Sequence, residues 1–559
     1  MTRFVILDGY TDEPAGFGVP PYIDVYPRYI AGAIWHCVPD AIIDYWTVDE
    51  ARARIHDFLR SASQARMVVV VAGAVVPGRY LGGSPLTGRE AASWFSALRG
   101  PVKILAGPVA RYGFGNIGGG FVRVLPREVR SVFDYVVVGD PDLFVYRLLS
   151  EGEEAADERE RWNDTRLMDI FAVKGAAIVE QHPCHGYNLV AELETYRGCP
   201  RYLTGGCSFC VTKNYGRPLQ RPVEAVVREV EALYRHGVRH FRVGRQADIL
   251  VYGSPQLGVE EWPKPSPEAI RRLFHGIRCV APGLYTLHID NVNPGTIVRH
   301  EKESIETLKV IVEYHTPGDV AAMGIETADP RVVKMNNLKV YPEDALKAVR
   351  IVNRVGGKRG YNGLPELLPG VNFVLGLIGE SRETFRLNIE FLERIMREGL
   401  LVRRINVREV LILPGTRMWS HGDWELRRHR RMIKSFKKRV SALSEEFLRR
   451  LLPRGSVLRW LYVEGFDERR GVTFARQAGS YPLVAELPCR LVCRGVVDVA
   501  VYDYTARSIR ALPIPLDPGA PTSILARLLG RGLAVRVKRG IGELRPYVLR
   551  GGHVCSGPT

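Results

Sequence analysis

Three of the chain's nine cysteines, Cys199, Cys207 and Cys210, fall within twelve positions in the spacing C-x7-C-x2-C. In a reducing compartment such a cluster more often binds metal or does chemistry than forms disulfides. A structural zinc site closes its shell with four ligands, whereas a catalytic metal site keeps a position open. Three thiolates can each take one iron of a cubane iron-sulfur cluster and leave the fourth iron free for a small molecule. Cys184 or His185, in QHPCHGY just upstream, would supply the fourth ligand that zinc or a closed cluster needs. The spacing by itself leaves both readings open.

A loop of this kind must be placed by the elements around it. YNLVAELETY reads as a strand entering the loop, and RPVEAVVREVEALYRHG as the next helix, with Pro222 at its start and Val226, Val230 and Leu233 on one face. VRHFRVG, YTLHIDNV, VAAMGIET, GVNFVLGLIG and INVREVLILP read as further strands with helical segments between them. Repeated βα units over residues 166–423 predict a complete or partial parallel barrel, whose active site belongs at the carboxyl ends of the strands. The three cysteines fall at such an end. Residues 1–165 also alternate apolar runs with helical patterns, which predicts an α/β domain with a Rossmann or flavodoxin-like parallel sheet. Within it GFGNIG, Gly113–Gly118, fits G-x-G-x-x-G but is followed by FVRVLP in place of a helix, so it reads as a plain glycine loop.

Residues 424–454 read as a basic helical linker, with eight Lys/Arg among the fourteen residues Arg427 to Val440 and an apolar stripe at Met432, Phe436, Val440 and Leu443. Short β runs over residues 455–514 predict a small β-barrel. A proline-rich stretch, LPIPLDPGAP, then leads into residues 515–559, which offer two short helices about a glycine turn.

With Phe209 before its last cysteine, the loop resembles the cluster loop of radical S-adenosylmethionine (SAM) enzymes, although its first gap exceeds the usual three residues. MGIETADPRVVKMNN, NFVLGLIGESRETF and VLILPGTRMW resemble successive motifs of the methylthiotransferase and cobalamin-type branch of that superfamily, and together they cover roughly residues 190–420. The resemblance implies a 4Fe-4S cluster on Cys199, Cys207 and Cys210, with SAM on the open iron and cleaved to a 5′-deoxyadenosyl radical. It places Phe209, Gly244, Arg245, Gln246, Glu326, Asn372 and Leu411 near SAM, and implies a ferredoxin or flavodoxin as electron donor. VGRQAD stands where the family has Gly-Gly-Glu, which leaves Gln246 or Asp248 as the replacement acceptor. The N-terminal sheet has only Cys37 where methylthiotransferases carry three cysteines, and Asp8-Gly9-Tyr10 where cobalamin enzymes carry Asp-x-His-x-x-Gly. Residues 455–514 resemble a TRAM domain, and residues 515–559 a degenerate helix-hairpin-helix of an archaeal family.

A net charge of +17 points to a polyanionic partner. Together with the TRAM resemblance it implies an RNA substrate, tRNA in particular, with Arg430, Arg431, Lys434, Lys437, Lys438, Arg476 and Tyr481 as contacts. The alternatives are an enzyme that modifies a protein or small molecule, and a nucleic-acid-binding protein whose cluster is structural or redox-sensing. MTRFVILDGY lacks the layout of a secretory signal, and the longest apolar run, Met67–Val76, is about half the ~20 residues of a membrane helix, so a cytoplasmic location and no membrane partner are expected.

Overall fold

Strands buried on both faces need apolar residues at every position, and MVVVVAGA is such a run. In the computed structural model Val68 and Val70 pack into one core and Val69 and Val71 into another, on opposite faces of a parallel sheet. The structure describes residues 1–514 apart from 14–15, 75–79, 116–118, 123–124 and 492. The expected helix-hairpin-helix, and part of GFGNIG, lie outside the described residues. Five strands of the N-terminal sheet run parallel in the order Ile42–Thr47, Arg3–Glu13, Met67–Ala74, Val102–Ala106, Tyr135–Val136, the flavodoxin-like order 2-1-3-4-5, and the short Gly16–Phe17 pairs antiparallel with Arg3–Glu13.

Six core strands follow. Val190–Leu193, His240–Val243 and Thr286–Ile289 form one parallel set, and Asp319–Glu326, Leu367–Leu375 and Arg404–Glu409 a second. A parallel bridge between Asn291 and Ala322 joins the two sets into a partial barrel. Its open edges are covered by the N-terminal domain: Tyr22–Ile23 pairs with the first core strand, and Gly120–Phe121 pairs with Leu411–Ile412 beyond the sixth. Covering exposed edges in this way satisfies backbone groups that would otherwise template aggregation. Helix Arg166–Lys174, assigned above to the second unit, lies against helix Val25–Cys37 so closely that a Cβ on Gly32 would strike the Phe171 carbonyl.

Strands Val457–Asp467, Val472–Arg476, Val484–Leu487, Val496–Tyr504 and Ser508–Ile514 close into a β-barrel around Leu461, Ala485, Leu487, Val499 and Ile509. The barrel docks on the amino ends of the core strands, the end opposite the cysteine loop. Tyr187, before the first core strand, donates to the carbonyls of Val463 (2.9 Å) and Gly495 (2.7 Å). His240, which opens the second, meets the Tyr462 hydroxyl at 3.0 Å, and Ser480 donates from its backbone to His288 Nδ1 (2.9 Å) and from its hydroxyl to the Ile289 carbonyl (2.6 Å). The segment 477–481 therefore enters the floor of the partial barrel, where the Tyr481 ring lies 5.6 Å from the Arg242 guanidinium and 4.1 Å from that of Arg404.

Helix Arg430–Leu451 buries Ile433, Phe436, Val440, Leu443 and Phe447, and Met432 is only half-buried. It descends from the carboxyl ends of the strands, where Lys437 pairs with Glu409, to the β-barrel, where Tyr504 donates to the Leu452 carbonyl at 2.6 Å. No helix among the described residues is long and apolar enough to cross a membrane.

Burial pushes His182 and His240 from 6.5 down to about 3, so both are neutral in the fold. The unfolded chain takes up protons below pH 6.5 that these side chains refuse, so stability present above pH 6.5 is lost as the pH falls towards 3. We predict that His240→Gln, which can keep bonds to Thr286 and Tyr462, loses about 2 kcal/mol less than wild type between pH 7 and pH 5 in guanidinium melts. An unchanged acid loss would show that His240 titrates normally.

Candidate functional site

The long gap between the first two cysteines has a structural content. After Cys199 the chain makes a 3-10 turn, Pro200–Thr204, capped by the left-handed Gly205 (φ 78°). That turn carries Arg201, only 2% exposed, whose guanidinium donates to Cys207 Sγ at 3.3 Å. It is held there by the Asn337 carbonyl (2.9 Å), Asn337 Oδ1 (3.0 Å) and Glu261 (2.9 Å), and it lies over the Trp262 ring at 5.2 Å. The extra residues thus bring a cation to a thiol.

A second segment braces the rest of the loop. Ser208 donates from its backbone to the Asn336 carbonyl (3.0 Å) and from its hydroxyl to Asn336 Oδ1 (2.6 Å), and Asn337 Nδ2 donates to the carbonyls of Thr204 and Gly206, each at 3.1 Å. From the far side, the backbone N–H of Met418 donates to the Ser208 carbonyl at 3.1 Å. Two residues beyond Asn337 stands Lys339, whose Nζ is 4.0 Å from Glu326 Oε1. Burial opposes the lysine's charge, but Glu326 and the thiols of Cys207, Cys210 and Cys199 outweigh it and hold its pKa above the ordinary lysine value. Burial pushes the Cys199 thiol up to about 12, and Cys210 and Cys207 add to that shift. The Cys207 thiol is raised by burial, against the pull of Arg201 and Lys339.

Glu326 ends the fourth core strand with φ 68°, a left-handed conformation that costs a non-glycine residue roughly 1–2 kcal/mol. The strand register shifts between Gly324 and Glu326, which re-aims the side chain. A Cβ on Gly324 would collide with the Glu326 carboxylate and the Lys339 ammonium, so glycine is required for the pair to fold over the strand. Burial raises the Glu326 pKa, with Lys339 and Arg408 opposing. Asn372 lies beside Gly324 in the neighbouring strand, half-buried.

The other expected residues divide. Phe209 packs half-buried against the core, and Leu411 joins the apolar cluster that contains Val211, one residue past Cys210. Gly244 and Gln246 lie just beyond the second core strand, with the Gln246 amide donating to the Val243 carbonyl at 2.8 Å and its oxygen accepting from Thr195 at 3.1 Å. Arg245 is 4% exposed and pairs with Glu13, Asp24 and Glu194, so it ties the N-terminal domain to the core, and it lines a pocket together with Gln246, Gly198 and Val211. Asp248 accepts from Thr296 (2.7 Å) and the Asn293 backbone (3.1 Å). Cys184 and His185 precede the first core strand, at its amino end. The Cys184 thiol is pushed up to about 12 by burial and by Glu464 of the β-barrel, and His185 Nε2 lies 2.7 Å from the His236 carbonyl. Neither is positioned as a fourth ligand. Among the described residues no three His, Cys, Asp or Glu side chains converge on a single ion position; the three thiols are grouped electrostatically about Lys339.

Three of the expected RNA contacts are engaged within the chain. Arg476 pairs with Glu464 at 2.6 Å, and Tyr481 lies in the floor of the partial barrel, so neither presents a free surface. Lys437 pairs with Glu409, while Arg430, Arg431, Lys434 and Lys438 are exposed. Arg201, Asn336, Asn337 and Lys339 were not singled out from the sequence. The signal for Asn336, Asn337 and Lys339 was the KMNNLK run, which continues a quoted motif, and Arg201 had none.

A buried cysteine loop at the carboxyl ends of a partial βα barrel, facing a lysine and a strained glutamate, defines a cofactor-dependent site of the radical SAM type. The model of the Radical SAM superfamily matches residues 193–392. An uncharacterized protein of Methanocaldococcus jannaschii is 43% identical over 511 residues, 91% of this chain and 92% of its own, and one of Archaeoglobus fulgidus is 41% identical over 97% and 96%. The ribosomal protein uS12 methylthiotransferase RimO of Clostridioides difficile is 23% identical over 43% of this chain and 48% of its own. The tRNA-2-methylthio-N(6)-dimethylallyladenosine synthase of Ruegeria sp. is 23% identical over 37% and 41%. This chain therefore spans less than half the length of these two methylthiotransferases. Among solved structures, the cobalamin-dependent SAM radical enzyme OxsB with aqua-cobalamin bound aligns over 78% of this chain and 56% of its own, at 12% identity and a TM-score of 0.45. The chain belongs to one family with the two archaeal proteins, within the radical SAM superfamily. It is a radical SAM enzyme, and its cofactors are a 4Fe-4S cluster and SAM.

If the left-handed Glu326 is kept for function and not for folding, Glu326→Gly should match wild type in thermal stability or exceed it by about 1 kcal/mol. A loss of more than about 1 kcal/mol in melts of the variant would make Glu326 a structural carboxylate.

Proposed function

We propose that Cys199, Cys207 and Cys210 hold the 4Fe-4S cluster, leave one iron open for SAM, and serve the modification of an RNA nucleotide, in tRNA. The observation that carries the reading is the placement of three free cysteines on one loop at the carboxyl end of the first core strand, with Cys184 and His185 at the opposite end. The donor set fits the group: three thiol ligands, with Arg201 on one sulfur to offset the charge of the bound form. A bound reduced cluster with SAM would supply radical chemistry for removing a hydrogen atom from the substrate.

The chain's own residues position and enclose. Lys339 and Glu326 offer opposite charges, 4.0 Å apart, for the carboxylate and ammonium of an amino-acid moiety. Asn336, Asn337 and the Met418 backbone keep the loop closed over the site. A ferredoxin or flavodoxin fits as the electron donor.

RNA is favoured by the net charge of +17 and by the exposed cations that open helix Arg430–Leu451. The related tRNA synthase acts, by its name, on tRNA. A protein substrate is the second reading, because RimO relatives, named for ribosomal protein uS12, match over as much of the chain or more.

Two measurements test this. In anaerobically reconstituted protein, Cys199→Ala, Cys207→Ala and Cys210→Ala should each lose cluster absorbance and 5′-deoxyadenosine release, and Cys184→Ala should keep both. Loss in Cys184→Ala alone would reassign the ligand set. Nucleosides from tRNA of host cells with and without the gene should differ in one modified nucleoside, and identical profiles would count against tRNA.

A further inference from the structure

We propose that the surface beside the cysteine loop, formed by Phe121, Trp419 and Trp424 with Arg430, Arg431 and Lys434, is the docking ledge for a single-stranded RNA segment. The proposal rests on the RNA reading above and names the surface that would serve it. The small β-barrel, where RNA binding was expected, sits at the opposite end of the core, with Arg476 and Tyr481 turned inward.

Three aromatic rings stand in solvent at the cysteine end. Phe121 is 41%, Trp419 37% and Trp424 57% exposed, and the first two meet edge to face at 5.4 Å. They are attached to the site by backbone. Phe121 lies on the strand that pairs with Leu411–Ile412, and Trp419 follows Met418, whose N–H holds the Ser208 carbonyl between Cys207 and Cys210. Trp424 opens the short helix Trp424–Arg428, which leads directly into helix Arg430–Leu451.

The cations that follow Trp424 along the chain run against the helix that carries them. Arg430 and Arg431 occupy its first turn, which has no acidic residue and no side-chain cap, although the helix dipole there disfavours positive charge by about 0.3–1 kcal/mol per group. Lower on the same helix, Lys437, Arg439, Arg449 and Arg450 each have a carboxylate partner, whereas Arg430, Arg431, Lys434 and Lys438 have none among the described residues. A local cost without a compensating contact marks a functional surface more often than a structural one. Exposed rings that stack bases, alternating with unpaired cations that meet phosphates, are what a single strand requires. An acidic protein would use the cations and leave the rings idle.

Full-length protein can be titrated into fluorescein-labelled unmodified tRNA, and into a labelled single-stranded RNA, over a series of KCl concentrations. We expect R430E/R431E/K434E to bind at least tenfold more weakly, with a log–log salt slope shallower by about two. W419A/W424A should bind about tenfold more weakly with the slope unchanged. All five positions are exposed or half-exposed, and cluster absorbance reports whether each variant keeps its loop. As a check independent of folding, wild-type protein crosslinked to 4-thiouridine RNA should be labelled between residues 417 and 434. Wild-type binding to RNA with both variants within twofold, or crosslinks confined to the β-barrel, would overturn the ledge. Wild type that binds neither RNA would instead remove the RNA reading on which it rests. Equal binding of polyglutamate, weakened by the charge variant and untouched by W419A/W424A, would make the ledge a protein dock and also overturn the proposal.

Discussion

Sulfur ligands act as thiolates, and burying three of them together concentrates negative charge where water cannot disperse it. Much of the architecture around the site answers that constraint. Arg201 touches one sulfur, and the field of all three thiols helps to hold Lys339 charged. Neither cation is placed by its own element alone. The 3-10 turn that carries Arg201 is latched by Asn337, and the segment that carries Lys339 is latched to the cysteine loop through Asn336. Two stretches more than a hundred residues apart in sequence thus form a single unit.

The barrel that supports this unit is open, and its edges are closed by what flanks it. Tyr22–Ile23 and Gly120–Phe121 extend its two ends, and Arg245 fastens the N-terminal domain through Glu13 and Asp24. From below, the β-barrel inserts residues 477–481 into the floor, where Arg242 pairs with Glu192 and Asp290 beside the Tyr481 ring. Buried ion networks of this kind contribute little net stability but are intolerant of losing one member. They therefore hold the domains in one arrangement.

The parallel sheets, the order of the βα units and the position of the cysteines at a carboxyl end were legible in the sequence, because apolar periodicity and strand length report burial directly. The cysteine spacing marked the loop but not its content: Arg201 within a gap of seven residues carries no pattern that distinguishes it from a surface arginine. The inter-domain role of Arg245 was illegible for the same reason, because its partners Glu13 and Asp24 are more than two hundred residues away in sequence. The small β-barrel could be read from its short strands, but the end of the core on which it docks depends on contacts such as Tyr187 with Val463 and Gly495, and no periodicity encodes those.

Everything proposed for the site requires that three thiols hold a cluster whose fourth iron is left for SAM. Mössbauer spectra of the protein reconstituted with iron-57, recorded before and after SAM is added, test it most directly. The account predicts that one quarter of the iron signal shifts on SAM addition while three quarters stays in place. A fully assembled cluster in which SAM leaves all four irons unchanged would contradict it.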